Sequence, residues 1–162
     1  MIEPGLGSRM QGAAIAALAL VLDQVSKTWI LESVMNPPRV IEITPFFNIV
    51  LAWNRGVSFG MFNTESDHGP LILTALAVVI VIALSVWLWR AQSMFSVVAL
   101  GLVIGGAVGN VVDRLVHGAV VDFLDFHAFG YHWPAFNVAD SAICVGAAIL
   151  ILESLFTRTE TS

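Results

Sequence analysis

The stretch Pro70-Leu-Ile-Leu-Thr-Ala-Leu-Ala-Val-Val-Ile-Val-Ile-Ala-Leu-Ser-Val-Trp-Leu-Trp89 carries no charge and is followed at once by Arg90. A bilayer core of about 30 Å needs about 20 mostly apolar residues in a helix. This run is long enough, and nothing in it requires water. Three other stretches read the same way: residues 12–34, 94–112 and 138–156. The spacing predicts an all-α membrane protein with four transmembrane helices in a single domain of residues 1–162.

Composition agrees. The chain is 57% hydrophobic and 12% charged, against about 25% charged residues in soluble domains. Lipid-facing surface needs no polar cover. The net charge is −5, and no basic run is present, which excludes a nucleic-acid-binding face. A lone cysteine, Cys144, allows neither an intrachain disulfide nor a cysteine-based zinc motif. It reads as a small buried or lipid-facing residue. Gly12 to Leu22, with Arg9 before it, has the length of a signal-peptide core. Asp23 and Lys27 follow directly, with no small-residue cleavage site, so it reads as a retained first span.

The connections are unequal. Residues 90–93 form a short turn, so the second and third spans make an antiparallel hairpin. Residues 35–69 and 113–137 are long and fall together on the opposite side from the termini. Arg9, Arg90 and Arg158 lie on the terminal side, and Arg39, Arg55 and Arg114 on the long-loop side. The count is equal, but the first three flank spans as plain anchors. This favours cytoplasmic N- and C-termini and extracytoplasmic long loops. Residues 40–60 have strand character, interrupted at Pro45 and ended by the turn signal Asn54-Arg55-Gly56. They predict a small sheet at the membrane surface. Residues 123–136 contain Phe123, Phe126, Phe129, Tyr131, Trp133 and Phe136 and predict an interfacial segment, partly an amphipathic helix.

An ionisable residue inside a span is a functional candidate by default. Asp23 and Lys27 are four apart and share a helix face, as an ion pair fixing packing would. Gly101, Gly105 and Gly109 form a small-residue stripe for close helix approach. With no Lys-Ser/Thr ending and no preceding strand, it is not a phosphate loop. Asn110, Asp113 and Arg114 follow it. Asp122 lies in the apolar Val120-Val121-Asp122-Phe123, and Asn137 and Asp140 open the fourth span, where helix capping would account for them. Asn54, Asn110, Asp113, Arg114, Asp122, Asn137 and Asp140 nevertheless converge at similar depth. Two carboxylates in one low-dielectric site share a proton at neutral pH, as an acid/base pair requires. From chemistry alone the pair is any two of Asp113, Asp122 and Asp140. Ser26, Ser58 and Ser141 show no Ser-His-Asp pattern. His117, His127 and His132 have no defensible metal spacing, and HExxH is absent. No metal or cofactor is expected.

Five ordered blocks carry a resemblance. They are Asp23-Gln24-Val25-Ser26-Lys27, Asn54-Arg55-Gly56-Val57-Ser58-Phe59-Gly60, Gly105 through Arg114, Val120 through Phe123, and Phe136-Asn137-Val138-Ala139-Asp140-Ser141. In these the chain resembles the bacterial lipoprotein signal peptidases, also called signal peptidase II. The resemblance implies an aspartic endopeptidase of the cytoplasmic membrane that cleaves diacylglyceryl-modified prolipoproteins before the lipidated cysteine. It assigns the catalytic pair to Asp122 and Asp140. It makes Asn54, Gly56, Asn110, Arg114 and Asn137 substrate contacts. It makes Asp23 and Lys27 a supporting pair, with Asp113 behind Arg114. It further implies lipidated precursors and membrane lipids as partners, inhibition by cyclic peptides such as globomycin, and a monomer with its active site near the extracytoplasmic face. A small proton-coupled transporter and a non-enzymatic assembly factor are the alternatives. Transporters commonly show internal repeats, and none is visible here.

Overall fold

The computed structural model describes residues 6–56 and 69–159. Val57-Ser58-Phe59-Gly60, the end of the second block, lies outside the described residues. Four helices are long and apolar enough to cross a membrane. Helix α1 (Leu6–Trp29) continues through a π-helical turn, Ile30–Val34. Helices α2 (Gly69–Arg90), α3 (Met94–His117) and α4 (Val138–Thr159) follow. Between them lie strands β1 (Ile41–Thr44), β2 (Phe47–Asn54), β3 (Val120–Ala128) and β4 (Tyr131–His132), antiparallel in the order β1-β2-β3-β4. The expected four-span helical protein with a small sheet is what forms.

Helix α3 is the centre, packed against α1, α2 and α4. Its glycines make this possible. A Cβ on Gly105 would run into the Ala16 carbonyl of α1, and one on Gly106 into the Ala139 carbonyl of α4. Bare backbone on two faces lets two neighbours close in at once. Helix α2 is the opposite case. Thr74 is its only buried residue, and it rests on the core mainly through Val81, Leu84 and Leu88. A fully apolar helix with one narrow contact stripe is what a lipid-facing span requires. Cys144 on α4 is likewise exposed.

Helix α3 runs five residues past its predicted end at 112. Hydropathy falls at Asp113-Arg114, but Lys27 and Gln24 of α1 and the Val121 N–H satisfy Asp113, so the helix continues. It stops at Gly118, whose φ of 71° only glycine adopts without strain and whose N–H bonds the Arg114 carbonyl. Residues 113–117 therefore belong to the span's helix, not to the loop. Segment 123–136 also differs from expectation. It is strand and turn rather than amphipathic helix. Residues 47–54 of β2 pair with 120–126 of β3, and the chain reverses at Phe129-Gly130, both at positive φ. The Phe123 and Leu124 N–H groups then donate to the Phe136 carbonyl. β-Branched Val120 and Val121 suit a strand buried on both faces. Ile30, Met35 and Phe123 form a buried cluster that fastens the sheet to the helices.

Candidate active site

The deepest layer is ionic. Lys27 Nζ lies 2.8 Å from both Asp23 Oδ2 and Asp113 Oδ2 and 3.1 Å from Asn110 Oδ1. The three charged side chains are at most 3% exposed. Such a cluster is tolerable only when every polar atom has a partner, and here each does. Asp23 Oδ1 accepts from the Ala139 N–H at the start of α4 (2.9 Å), where the helix dipole favours an anion. Asp113 Oδ2 accepts from the Val121 N–H of β3 (2.9 Å). Gln24 Nε2 reaches Asp23, Asp113 and the Gly109 carbonyl. The expected Asp23–Lys27 pair thus ties α1, α3, α4 and β3 together. Asp113 is a member of it. Its oxygens bond Lys27, Gln24 and Val121, and its charge also lies near Arg114, the residue it is expected to support. Gln24 belongs to the site although only its neighbours stood out in sequence. Its signal was an amide inside a span, one residue from a buried aspartate.

Three asparagines form the next layer, each fixed by a group that can only donate. The Asn54 oxygen accepts from the Gly56 N–H (3.2 Å), so its amide NH2 faces Asp122 Oδ2 (3.1 Å). The Asn137 oxygen accepts from the Asp140 N–H (2.9 Å), so its NH2 faces Asp122 Oδ1 (2.7 Å). The Asn110 oxygen accepts from the Lys27 ammonium, so its NH2 faces Asp140 Oδ1 (2.8 Å). Amide orientation is normally ambiguous; here ammonium and backbone donors decide it. Asn137 is also the N-cap of α4, and Asp140 Oδ2 returns a bond to the Asn137 N–H (3.3 Å), closing a reciprocal capping box. Asn137 is wholly buried, with its amide used inside the protein. Its side-chain NH2 and its backbone N–H bond one carboxylate each, Asp122 and Asp140.

Asp122 and Asp140 are thereby joined through Asn137. Asp122 is 2% exposed. Burial, followed by the nearby charge of Asp140, pushes its carboxyl up to about 7, against the hydrogen bonds of Asn54 and Asn137. It can therefore carry a proton at neutral pH while a second carboxylate stands beside it. Arg114 donates to the Asn110 carbonyl through Nη1 (3.3 Å), and its buried Nε has no partner among the described residues. Its charge is close to Asp140, Asp113 and Asp122. The structure thus gathers Asn54, Asn110, Asp113, Arg114, Asp122, Asn137 and Asp140 with Asp23 and Lys27.

A second polar group sits on β3. Asp125, three residues from Asp122, points to the other face of the sheet. It accepts from Asn48 Nδ2 across the β2–β3 pair (3.0 Å) and contacts His132 Nδ1 (2.9 Å), whose ring stacks on His127. The histidines thus attend Asp125, not the Asp122–Asp140 pair.

The chain matches the family model described as signal peptidase II over residues 15–156. A lipoprotein signal peptidase of Rhodopseudomonas palustris is 44% identical over 89% of this chain and 91% of its own length. One from Methylorubrum extorquens is 49% identical over 87% and 84%. A solved bacterial membrane enzyme superposes with a TM-score of 0.81 at 30% identity, over 99% of this chain and 94% of the other. Sequence and fold, agreeing over nearly the whole length, establish that this multi-pass membrane protein belongs to the signal peptidase II family of bacterial peptidases.

Proposed function

We propose that the chain is an aspartic endopeptidase that removes the signal peptide from diacylglyceryl-modified prolipoproteins, cleaving before the lipidated cysteine. The observation that carries this reading is the linkage of the Asp122 and Asp140 carboxylates through one buried residue, Asn137, whose side-chain NH2 bonds the first and whose backbone N–H bonds the second, with the Asp122 carboxyl pushed up to about 7. One carboxylate takes a proton from water as the water oxygen attacks the scissile carbonyl. The other, protonated, donates to the carbonyl oxygen. The guanidinium of Arg114, whose Nε has no partner among the described residues, suits a substrate backbone carbonyl, and Asn54 and Gly56 are read as further substrate contacts. Termini in the cytoplasm and a site near the extracytoplasmic face fit the flanking Arg9 and Arg90. The exposed Phe129, Tyr131 and Trp133 suit a hairpin at the lipid interface. Relatives named as peptidases weigh against the transporter and assembly-factor readings.

The test is cleavage of a purified lipidated precursor in detergent, with chelator present. The wild-type chain is expected to release the signal peptide, and Asp122→Asn and Asp140→Asn are each expected to be inactive. Near wild-type processing by either variant would remove the pair assignment.

A further inference from the structure

Lys27 touches neither carboxylate of the pair, yet it decides what one of them meets. Its ammonium has three protons and three acceptors: Asp23 Oδ2, Asp113 Oδ2 and Asn110 Oδ1. An ammonium cannot accept a hydrogen bond. The Asn110 oxygen must therefore face Lys27, and its NH2 must face away, 2.8 Å from Asp140 Oδ1. The Asn137 NH2 donates to the same Asn110 oxygen over a longer distance, 3.3 Å against 3.1 Å for Lys27, so without Lys27 only that weaker bond opposes the amide's turning over. A turned amide would present an oxygen to Asp140, which only a protonated carboxyl could meet.

We propose that Lys27 is a positioning residue that acts through the Asn110 amide to keep Asp140 as the charged, base member of the pair, leaving the proton on Asp122. This rests on the aspartic reading above and adds the direction of proton flow. Asp140 takes a proton from water as the water oxygen bonds to the carbonyl carbon, while the Asp122 proton passes to the carbonyl oxygen. On collapse Asp140 gives its proton to the leaving nitrogen, the C–N bond breaks, and the oxygen's proton returns to Asp122. The surroundings of Asp140 agree. It occupies the first turn of α4, where the helix dipole favours negative charge. The charged and titratable groups around it are Arg114 and Asp113 of α3, Lys27 and Asp23 of α1, and Asp122 of β3. Asp122 is instead a buried strand residue beside a second carboxylate, which favours its neutral form.

The experiment is the pH dependence of kcat and KM for the full chain in detergent on a lipidated precursor. It compares wild type, Asn110→Leu, Lys27→Met and the double variant. Asn110→Leu and Lys27→Met are each expected to lower kcat about 10-fold or more near neutral pH, within the range for disturbed acid–base groups. Each is expected to move the acidic limb of kcat to higher pH, with KM changed less than about threefold. The double variant should lose no more than the worse single, because both act through one amide. An unmoved acidic limb in Asn110→Leu, or losses that multiply in the double, would overturn the proposal. Lys27→Met strands two buried aspartates, and its profile is read only if thermal melting shows a folded variant. Asn110→Leu keeps both ion pairs, so its profile otherwise decides alone. Activity in Asp122→Asn or Asp140→Asn would sink the aspartic reading itself. Inactive aspartate variants with an unmoved limb in Asn110→Leu would sink only the role of Lys27.

Discussion

Asp122 and Asp125 sit three residues apart on β3 and are both buried, at 2% and 6% exposure. Their acidities nevertheless move in opposite directions. Burial and the charge of Asp140 push Asp122 up to about 7. Burial also pushes on Asp125, but hydrogen bonds from His132 and Asn48 and the charges of His132 and His127 outweigh it, holding the carboxyl below its ordinary range. An odd spacing on a strand sends the two side chains to opposite faces. One meets another carboxylate, and the other meets an amide and an imidazole. Depth alone does not set a charge state; the partners do. The strand thus carries a carboxyl pushed towards its neutral form on one face and a held anion on the other.

The largest expected contrast is in turnover. Asp122→Asn should cut cleavage of a lipidated precursor by about 10³-fold or more, while Asp125→Asn stays within about threefold of wild type. Equal losses would erase the distinction. The next is the alkaline limb of activity. With Asp122 as the acid, the rate should fall about tenfold per pH unit above about 7, as its proton is lost. A profile flat to pH 9 would show that this proton is not used.

Stability should separate the pair with opposite signs. Asp122 has a raised folded pKa, so its contribution is present in acid and lost as pH rises through about 7. Asp122→Asn should melt with wild type in acid and above it in alkali. Asp125 has a lowered folded pKa, so its contribution is present above 3.8 and lost as pH falls through the depressed value. Asp125→Asn should cost about 1–3 kcal/mol at neutral pH, fading in acid. The smallest effect is that of Asn48→Ala, about 0.5–1.5 kcal/mol for one hydrogen bond, with no change in the pH limbs. Thermal melting in detergent across pH reads all three.

Much of this was legible in sequence. The four spans follow from apolar runs long enough for a bilayer, and the converging polar residues stand out because lipid makes each of them costly. The illegible parts depend on distant partners. Hydropathy counts Asp113 and Arg114 as an exit from the membrane, whereas Lys27 and Gln24 of α1 hold Asp113 inside the fold. The aromatic run after Asp122 suits a helix or a strand until β2 is known to lie beside it. The Asn48–Asp125 contact joins residues 77 apart, which no local pattern reveals. Chemistry alone could not choose between Asp113, Asp122 and Asp140. Asp113 is held three ways, by Lys27, Gln24 and Val121, contacts that no local pattern shows.

The three locked asparagines also determine how the site would age. Loss of ammonia from an asparagine replaces an NH2 donor with a second acceptor oxygen, and amides are among the heat-labile groups of proteins. At Asn54, Asn110 or Asn137 that change would turn a donor aimed at a carboxylate into a third negative charge beside it. The following residues are Arg55, Val111 and Val138, all bulky enough to shield the backbone nitrogen that would attack. Asn110 and Asn137 are further held within, or at the start of, a helix, away from the ring-closing geometry. The constraint that aims these amides is therefore also a chemical preservative, and the working lifetime of the site is written into the residue that follows each one.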